Sequence, residues 1–275
     1  MSFTHRHCPH CLTQKHDRHT VDLHPVLEAE LLSYTGLALS LASEFIENPP
    51  GPTVEDYQKI KQDCELQAFD RLAPALKAAF PQLHLCLSAD SLYGCGRFFA
   101  LCEQNRWHFM VPFKEGRTPD LWREFQSLLA LQPQCKQAAV LPDGTSQRFG
   151  WIERLEYTDS EKRTWTLGAI QCEETSPAGQ NTTFAWLTNW AVHGQTVIPM
   201  AEGAGRLRGK IENEGFNVQK NSGLNLEHVF SQKWENAKAC YYLLQIGQLL
   251  MQLLNHNSLH RALAKRYGHK TVLSL

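Results

Sequence analysis

The apolar positions of the chain fall into three regimes. In the first, TVDLHPVLEAELLSY and LALSLASEFI are two extended apolar segments whose Leu and Ala content also fits helices, and NPPGP after them predicts a turn. From about Val54 to Phe80, Tyr57, Ile60, Cys64, Phe69, Leu72 and Leu76 recur near a 3.6-residue period, and Pro81 ends that predicted helix. LHLCLSAD then reads as a short strand closing on a carboxylate. A polar helix with Phe98, Phe99 and Leu101 follows, then a strand over WHFMVPFK and a helix over LWREFQSLLAL. The second regime is β-rich: FGWIERLEYTD, TWTLGAIQCEE and TTFAWLTNWAV are separated by polar or Gly/Pro turns and predict a small meander. The third is helical and contains HVFSQKWENAKACYYLLQIGQLLMQLLNH, in which Gln245, Gln248 and Gln252 favour a buried core helix over a membrane span.

Strands alternating with helices, with an acidic residue at a strand end, predict an α/β fold with sites at strand termini. The 275 residues suffice for a substantial core, in one large domain or two small ones. With 27 Lys and Arg against 28 Asp and Glu, disorder of the whole chain is excluded, and any nucleic-acid contact must come from a local patch. No leader-like apolar region opens the sequence, and no run of about 18 apolar residues follows. The expectation is a cytosolic protein without a membrane span. Its nine cysteines then read as reduced thiols, with Cys86 and Cys172 in the core.

Two words carry candidate chemistry. Asp90 in LSADSLYG ends a predicted strand, where its ordinary role is a helix or turn cap. GRLRGKIENEGFNVQKN, residues 205 to 221, is dense in charge, and a solvated helix face is its ordinary explanation. On a helix, Arg208, Glu212, Phe216 and Gln219 share one face; Lys220 lies about 80° further round and Lys210 on another side. A carboxylate at a strand end and one on a cation-flanked helix suit Mg²⁺, which takes carboxylate oxygens and leaves positions for water and phosphate. Arg and Lys beside them can hold non-reacting phosphates.

The order LSADSLYGCGRFFALCEQNRWHFMVPFK, FAWLTNW, GRLRGKIENEGFNVQKNSGLNLEHVF resembles bacterial insertion-sequence transposases of the DDE type. Within them it is similar to the group whose last acidic residue sits in a Tyr-x2-Arg-x3-Glu-x6-Lys helix. SEFIEN and KIKQDCELQAFDRL extend the likeness to roughly residues 8 to 255. The resemblance implies a ribonuclease H-like core using two Mg²⁺ ions to cut transposon ends and join them to target DNA. Asp90 takes the place of the second Asp, Glu212 that of the Glu and Arg208 that of the motif Arg. Gly205 stands where the motif has Tyr, Gly209 where such transposases usually have Trp, and Gln219 at the Lys position, with Lys220 displaced by one. The family's first Asp precedes its Cys-x2-Cys word, and MSFTHRH contains no Asp, so the expectation is a core missing its first strand and first metal ligand.

The expected organisation is a His/Cys-rich segment over 1–24 and the first part of the core over 20–150. A β-rich insertion over 150–198, C-terminal helices completing the core over 199–256 and a basic tail over 257–275 follow. The expected partners are DNA, as transposon ends and target, and a second copy in a homodimer. Arg206, Arg208, Lys210, Lys220 and Lys114 are the candidate phosphate contacts, and Arg117 is a further loop cation. The competing function is a non-catalytic DNA-binding or interaction protein derived from a transposase.

Cys8-Pro-His-Cys11 is half of a zinc site, and six of the thirteen histidines (His5, His7, His10, His16, His19 and His24) lie beside it. His16 and His19 are the pair that can complete it; a metal-free hairpin or frayed terminus is the alternative. Asp63 and Glu65 read as solvated or capping groups, Asn189 as a turn residue, and Trp186 and Trp190 as sheet packing.

Overall fold

A computed structural model describes residues 2–3, 8, 10–15, 20–33, 37–48, 63–210, 217–221, 224–226, 231 and 233–268. The chain divides into two compact units, Met1–Ala79 with Lys210–Leu275, and Phe80–Gly209. No helix among the described residues is long and apolar enough to cross a membrane.

The first unit opens with three short antiparallel strands, β1 (Ser2–Phe3), β2 (Leu12–Lys15) and β3 (Thr20–Leu23), in the order β1-β3-β2. Pro25 has no backbone N–H and separates β3 from β4 (Val26–Leu32), which pairs antiparallel with β5 (Ala38–Phe45) in the register Glu28↔Ser43 and Ala29↔Ala42. These are the two extended apolar segments expected from the sequence. Helix α1 (Glu65–Ala79) packs Ala68, Phe69, Leu72, Ala73 and Leu76 inward, and it ends just ahead of Phe80 and Pro81. The amino-terminal part of that predicted helix lies outside the described residues.

The second unit is built on a six-stranded mixed sheet. Its strands are β6 (Cys86–Ser88), β7 (His108–Pro112), β8 (Lys136–Val140), β9 (Ser146–Thr158), β10 (Thr164–Thr175) and β11 (Asn181–Thr188), in the order β6-β7-β11-β10-β9-β8. β6 and β7 are parallel, which requires a crossover, and α2 (Gly96–Asn105) supplies it. The other pairings are antiparallel, so the β-rich stretch continues the sheet as a meander. Helix α3 (Pro119–Leu131) turns Leu121, Phe125 and Leu129 inward. Met110, Phe149, Trp151, Ile170, Cys172, Trp186, Val192, Val197 and Met200 form a core cluster. The architecture is α/β, as expected, with its six-stranded sheet mixed.

After β11 come a short helix α4 (Val197–Met200), one π-helical turn (Ala201–Gly205) and α5 (Arg208–Lys210). Gly205 fits its place because an added Cβ would lie 2.6 Å from Cε2 of Trp186. The chain of the first unit continues in α6 (Asn217–Asn221), α7 (Trp234–His256) and α8 (Ser258–Arg266); the segment expected to be a basic tail therefore contains a helix.

The inner face of α7 is partly polar. Trp234, Ala237 and Tyr241 pack with Phe45, while the buried Gln245 bonds Gln219 and Glu28 at 3.3 Å. Tyr241 donates to Glu28 at 3.0 Å and meets Ser43 at 2.9 Å. Gln219, the residue at the motif's Lys position, is buried and its amide faces Glu28, while Lys220 is exposed. The three glutamines of α7 are buried, for Gln245 because of the carboxyl group it meets on β4, but α7 is not the buried core helix expected, since Leu243, Ile246, Leu250 and Leu253 are exposed.

Candidate metal centre

The β2–β3 hairpin brings Cys11 and His24 together. Leu12 pairs with Leu23, so Cys11 just before β2 and His24 just after β3 meet at the open end of the hairpin. A tight turn returns Cys8 to the same point: Cys11 N–H donates to the Cys8 carbonyl at 3.2 Å, and Cys8 N–H donates to Cys11 Sγ at 3.3 Å. Cys8 Sγ lies 3.2 Å from Cys11 Sγ and 3.4 Å from His24 Nε2, and Cys11 Sγ lies 3.2 Å from the same nitrogen.

Three donor atoms that close form one face of a tetrahedron. With Zn–S near 2.3 Å and Zn–N near 2.0–2.1 Å, a tetrahedral ion spaces its donors by about 3.5–3.8 Å, so these would move apart by a few tenths of an ångström on binding. Cys8, Cys11 and His24 are the group of this kind among the described residues. His16 and His19, expected as the completing pair, lie outside the described residues. His24 was among the six histidines beside the Cys word; its signal was its place at the strand end in TVDLHPV, which brings it back to the cysteines once that segment pairs with LTQK.

The surroundings hold this geometry. Asn48, buried, donates from Nδ2 to the Cys11 carbonyl at 2.8 Å and from its backbone to the His10 carbonyl at 3.2 Å. Its Oδ1 accepts from Asp63 N–H at 3.3 Å, and Asp63 pairs with Arg71 at 2.7 Å, so the SEFIEN and KQDCE words support the cysteine turn. Asp63, read from the sequence as a solvated or capping group, accepts from Cys64 N–H at 2.9 Å ahead of α1 and also bridges to Arg71. Trp234 lies face to face with His24, ring centroids 4.0 Å apart, and its indole N–H donates to Glu47, which also meets Lys238 at 3.0 Å. Nothing in the sequence pattern marked Asn48 or Trp234 for this role, because each is remote from the hairpin along the chain.

Burial lowers the His24 pKa to about 4, so the imidazole is neutral near pH 7 and its Nε2 can act as a donor. Burial raises the Cys11 thiol to about 12, with the hydrogen bond to Cys8 adding to it. That shift opposes thiolate formation while no cation is present. A divalent ion reverses the balance, since its charge favours the thiolate and proton release accompanies binding.

The expected nucleic-acid and magnesium residues occupy other places. Asp90 follows β6 and caps the 3₁₀ turn Ser91–Tyr93, its Oδ1 accepting from Leu92 N–H at 2.7 Å. Arg117 reaches the Leu92 carbonyl at 3.5 Å, and its own N–H bonds the carbonyl of the exposed Lys114. Arg206 is engaged, paired with Glu174 at 2.6 Å and lying over Phe184 at 4.8 Å. Arg208 opens α5 half-buried, Lys210 closes it, and Lys220 is on α6. Glu212 lies outside the described residues. Asn189 bonds Phe109 N–H and the Trp107 carbonyl, each at 3.0 Å, which fixes the end of β11 on β7. Trp186 is buried in the sheet core, and Trp190 stacks on His108 at 4.6 Å.

Compared with known proteins, the chain matches no family model and no curated sequence at a significant level.

Proposed function

We propose that the chain is a DNA-transacting protein of transposase ancestry whose amino-terminal hairpin is held by a structural zinc ion on Cys8, Cys11 and His24. The observation that carries the reading is Asp90 at the carboxyl end of β6, on the parallel pair of its sheet, with Arg117 reaching the same turn and the exposed Lys114 beside it. A strand-end carboxylate beside cations is the arrangement that phosphodiester chemistry uses. In such sites Mg²⁺ takes one or two carboxylates with substrate phosphates and water; Asp90 is one, and Glu212 is the proposed second. When bound, the metal would activate the attacking oxygen and stabilise the leaving one. Zinc is favoured at the hairpin by its donors, since two sulfurs and an imidazole suit it and disfavour Mg²⁺.

The test is nicking of supercoiled DNA by the zinc-loaded protein with added Mg²⁺. Nicking that is lost in both Asp90→Asn and Glu212→Gln supports an enzyme. The alternative is a non-catalytic DNA-binding or interaction protein. It is favoured by the capping role of Asp90. DNA binding without nicking in the unaltered protein would establish it.

A further inference from the structure

Helix α7 has its amphipathic character reversed. Its inward positions include Gln245, Gln248 and Gln252, all buried, while Tyr242, Leu243, Ile246, Leu250, Leu253 and Leu254 are between 42% and 67% exposed. These six make up half of the large apolar side chains exposed among the described residues. The phase of the helix is fixed from within. Turning α7 to hide its leucines would break the Tyr241 bonds to Ser43 and Glu28 and the Gln245 bond to Glu28, leaving a buried carboxyl group without its donors. The outward stripe is therefore held in place.

Within it, Leu243, Ile246, Leu250 and Leu253 are spaced three, four and three residues apart, the a/d rhythm of a helix-pairing seam. From Ala239 to Asn255 the helix carries no charged residue, so a partner needs no complementary charge. The spacing is also palindromic about position 248. Antiparallel pairing of two copies about a two-fold axis there sets Leu243 against Leu253 of the partner subunit and Ile246 against Leu250 of the partner subunit. A two-fold interface requires that self-complementarity. Six large side chains about half exposed present on the order of 500 Å² of apolar surface, the size at which patches mark interaction sites. Burying it on two copies removes about 1,000 Å², the lower bound for a specific interface.

We infer that α7 is a homodimerisation helix, pairing antiparallel with α7 of a second copy through the Leu243–Ile246–Leu250–Leu253 seam. The inference does not depend on DNA chemistry or on the metal.

Sedimentation of the full chain tests it. The unaltered protein is expected at twice the 31.3 kDa chain mass at micromolar concentration. Ile246→Lys and Leu250→Glu, each alone, place a charge against an apolar residue of the partner and are expected to weaken association at least tenfold. The double variant Ile246→Lys/Leu250→Glu sets opposite charges against each other in the antiparallel register only, and is expected to recover the dimer. Recovery also shows that the single variants were folded. A monomeric unaltered protein, single variants that remain fully dimeric, or a double variant that stays monomeric with unchanged far-ultraviolet dichroism would each overturn the proposal. The last outcome would follow from a parallel seam, or from another protein or another part of this chain covering the stripe.

Discussion

Trp234 stacks on His24 with 4.0 Å between ring centroids and 21° between planes, so the first turn of α7 lies against the candidate metal centre. A divalent ion on His24 Nε2 places positive charge at the edge of that stack. Metal addition to chelator-treated protein is expected to change tryptophan emission. Trp234→Phe should remove most of the change while leaving metal stoichiometry near one per chain. An unchanged emission response in Trp234→Phe would mean that the ion binds elsewhere.

Cys8→Ser, Cys11→Ser and His24→Ala each remove one of three converging donors. Each is expected to abolish stoichiometric zinc and to remove the metal-linked part of stability, about 3–4 kcal/mol at a free ion concentration several hundred to a thousand times the dissociation constant. Cobalt substitution adds a separate readout: the thiolate-to-cobalt absorption band should be absent from the Cys8→Ser and Cys11→Ser variants and weakened or shifted in His24→Ala. Denaturation midpoints that do not respond to zinc in the unaltered protein would exclude a structural ion here.

Stability should also depend on pH through the carboxyl pair on β4. Burial raises the Glu30 pKa to about 8, with the charge of Glu28 adding to it, and burial also raises Glu28. A folded pKa above the unfolded value gives stability that is complete below about 4.5 and is lost as pH rises through about 8. His24 runs the other way: its folded pKa is lowered to about 4, so its contribution is present above 6.5 and lost as pH falls through 4. In metal-free protein Glu30 and His24 oppose each other in mildly acidic solution, and of these two groups only Glu30 slopes between about pH 6.5 and 8. Denaturation midpoints should fall across that window, and Glu30→Gln should flatten much of the fall. An equally steep fall in Glu30→Gln would assign the slope to other groups.

Asp90 offers a way to separate capping from chemistry. Its carboxylate accepts from Leu92 N–H, and an Asn side chain can make the same bond whereas Ala cannot. Asp90→Ala should therefore cost about 1 kcal/mol and Asp90→Asn much less. If the carboxylate also serves DNA cleavage, both variants lose nicking equally despite their different stability. Nicking that follows stability instead would confine Asp90 to the cap.

Which features were legible in the sequence follows from the range of the contacts behind them. The strand ending at Asp90, the helix ending before Pro81 and the meander were legible because periodicity and Gly/Pro punctuation are local signals. Two cysteines of the centre were legible because Cys-x2-Cys is compact. His24 was not singled out, since its selection over His16 and His19 depends on hairpin register. The reversed face of α7 was hidden because Gln245 has a reason to be buried only when Glu28, more than two hundred residues earlier, lies opposite. Trp234 and Asn48 depend likewise on contacts across the sequence.

Two glycines where the resembled motif has aromatic residues should respond oppositely to substitution. An added Cβ at Gly205 would stand 2.6 Å from Cε2 and 2.8 Å from Nε1 of the buried Trp186, and either the indole or the π-helical turn must shift. A Cβ added at Gly209 would meet nothing within 4 Å, and the φ of Gly209 is not in the left-handed region. Gly205→Ala is therefore expected to cost about 1–3 kcal/mol through overpacking, whereas Gly209→Ala should be neutral or stabilise by up to about 1 kcal/mol by restricting the unfolded chain. An aromatic residue cannot enter at 205 while Trp186 occupies the same space, so the motif's Tyr and this Trp186 packing are mutually exclusive. Thermal denaturation of the two Ala variants decides the matter. A Gly205→Ala protein as stable as the unaltered chain would show that Trp186 does not hold the turn against the sheet.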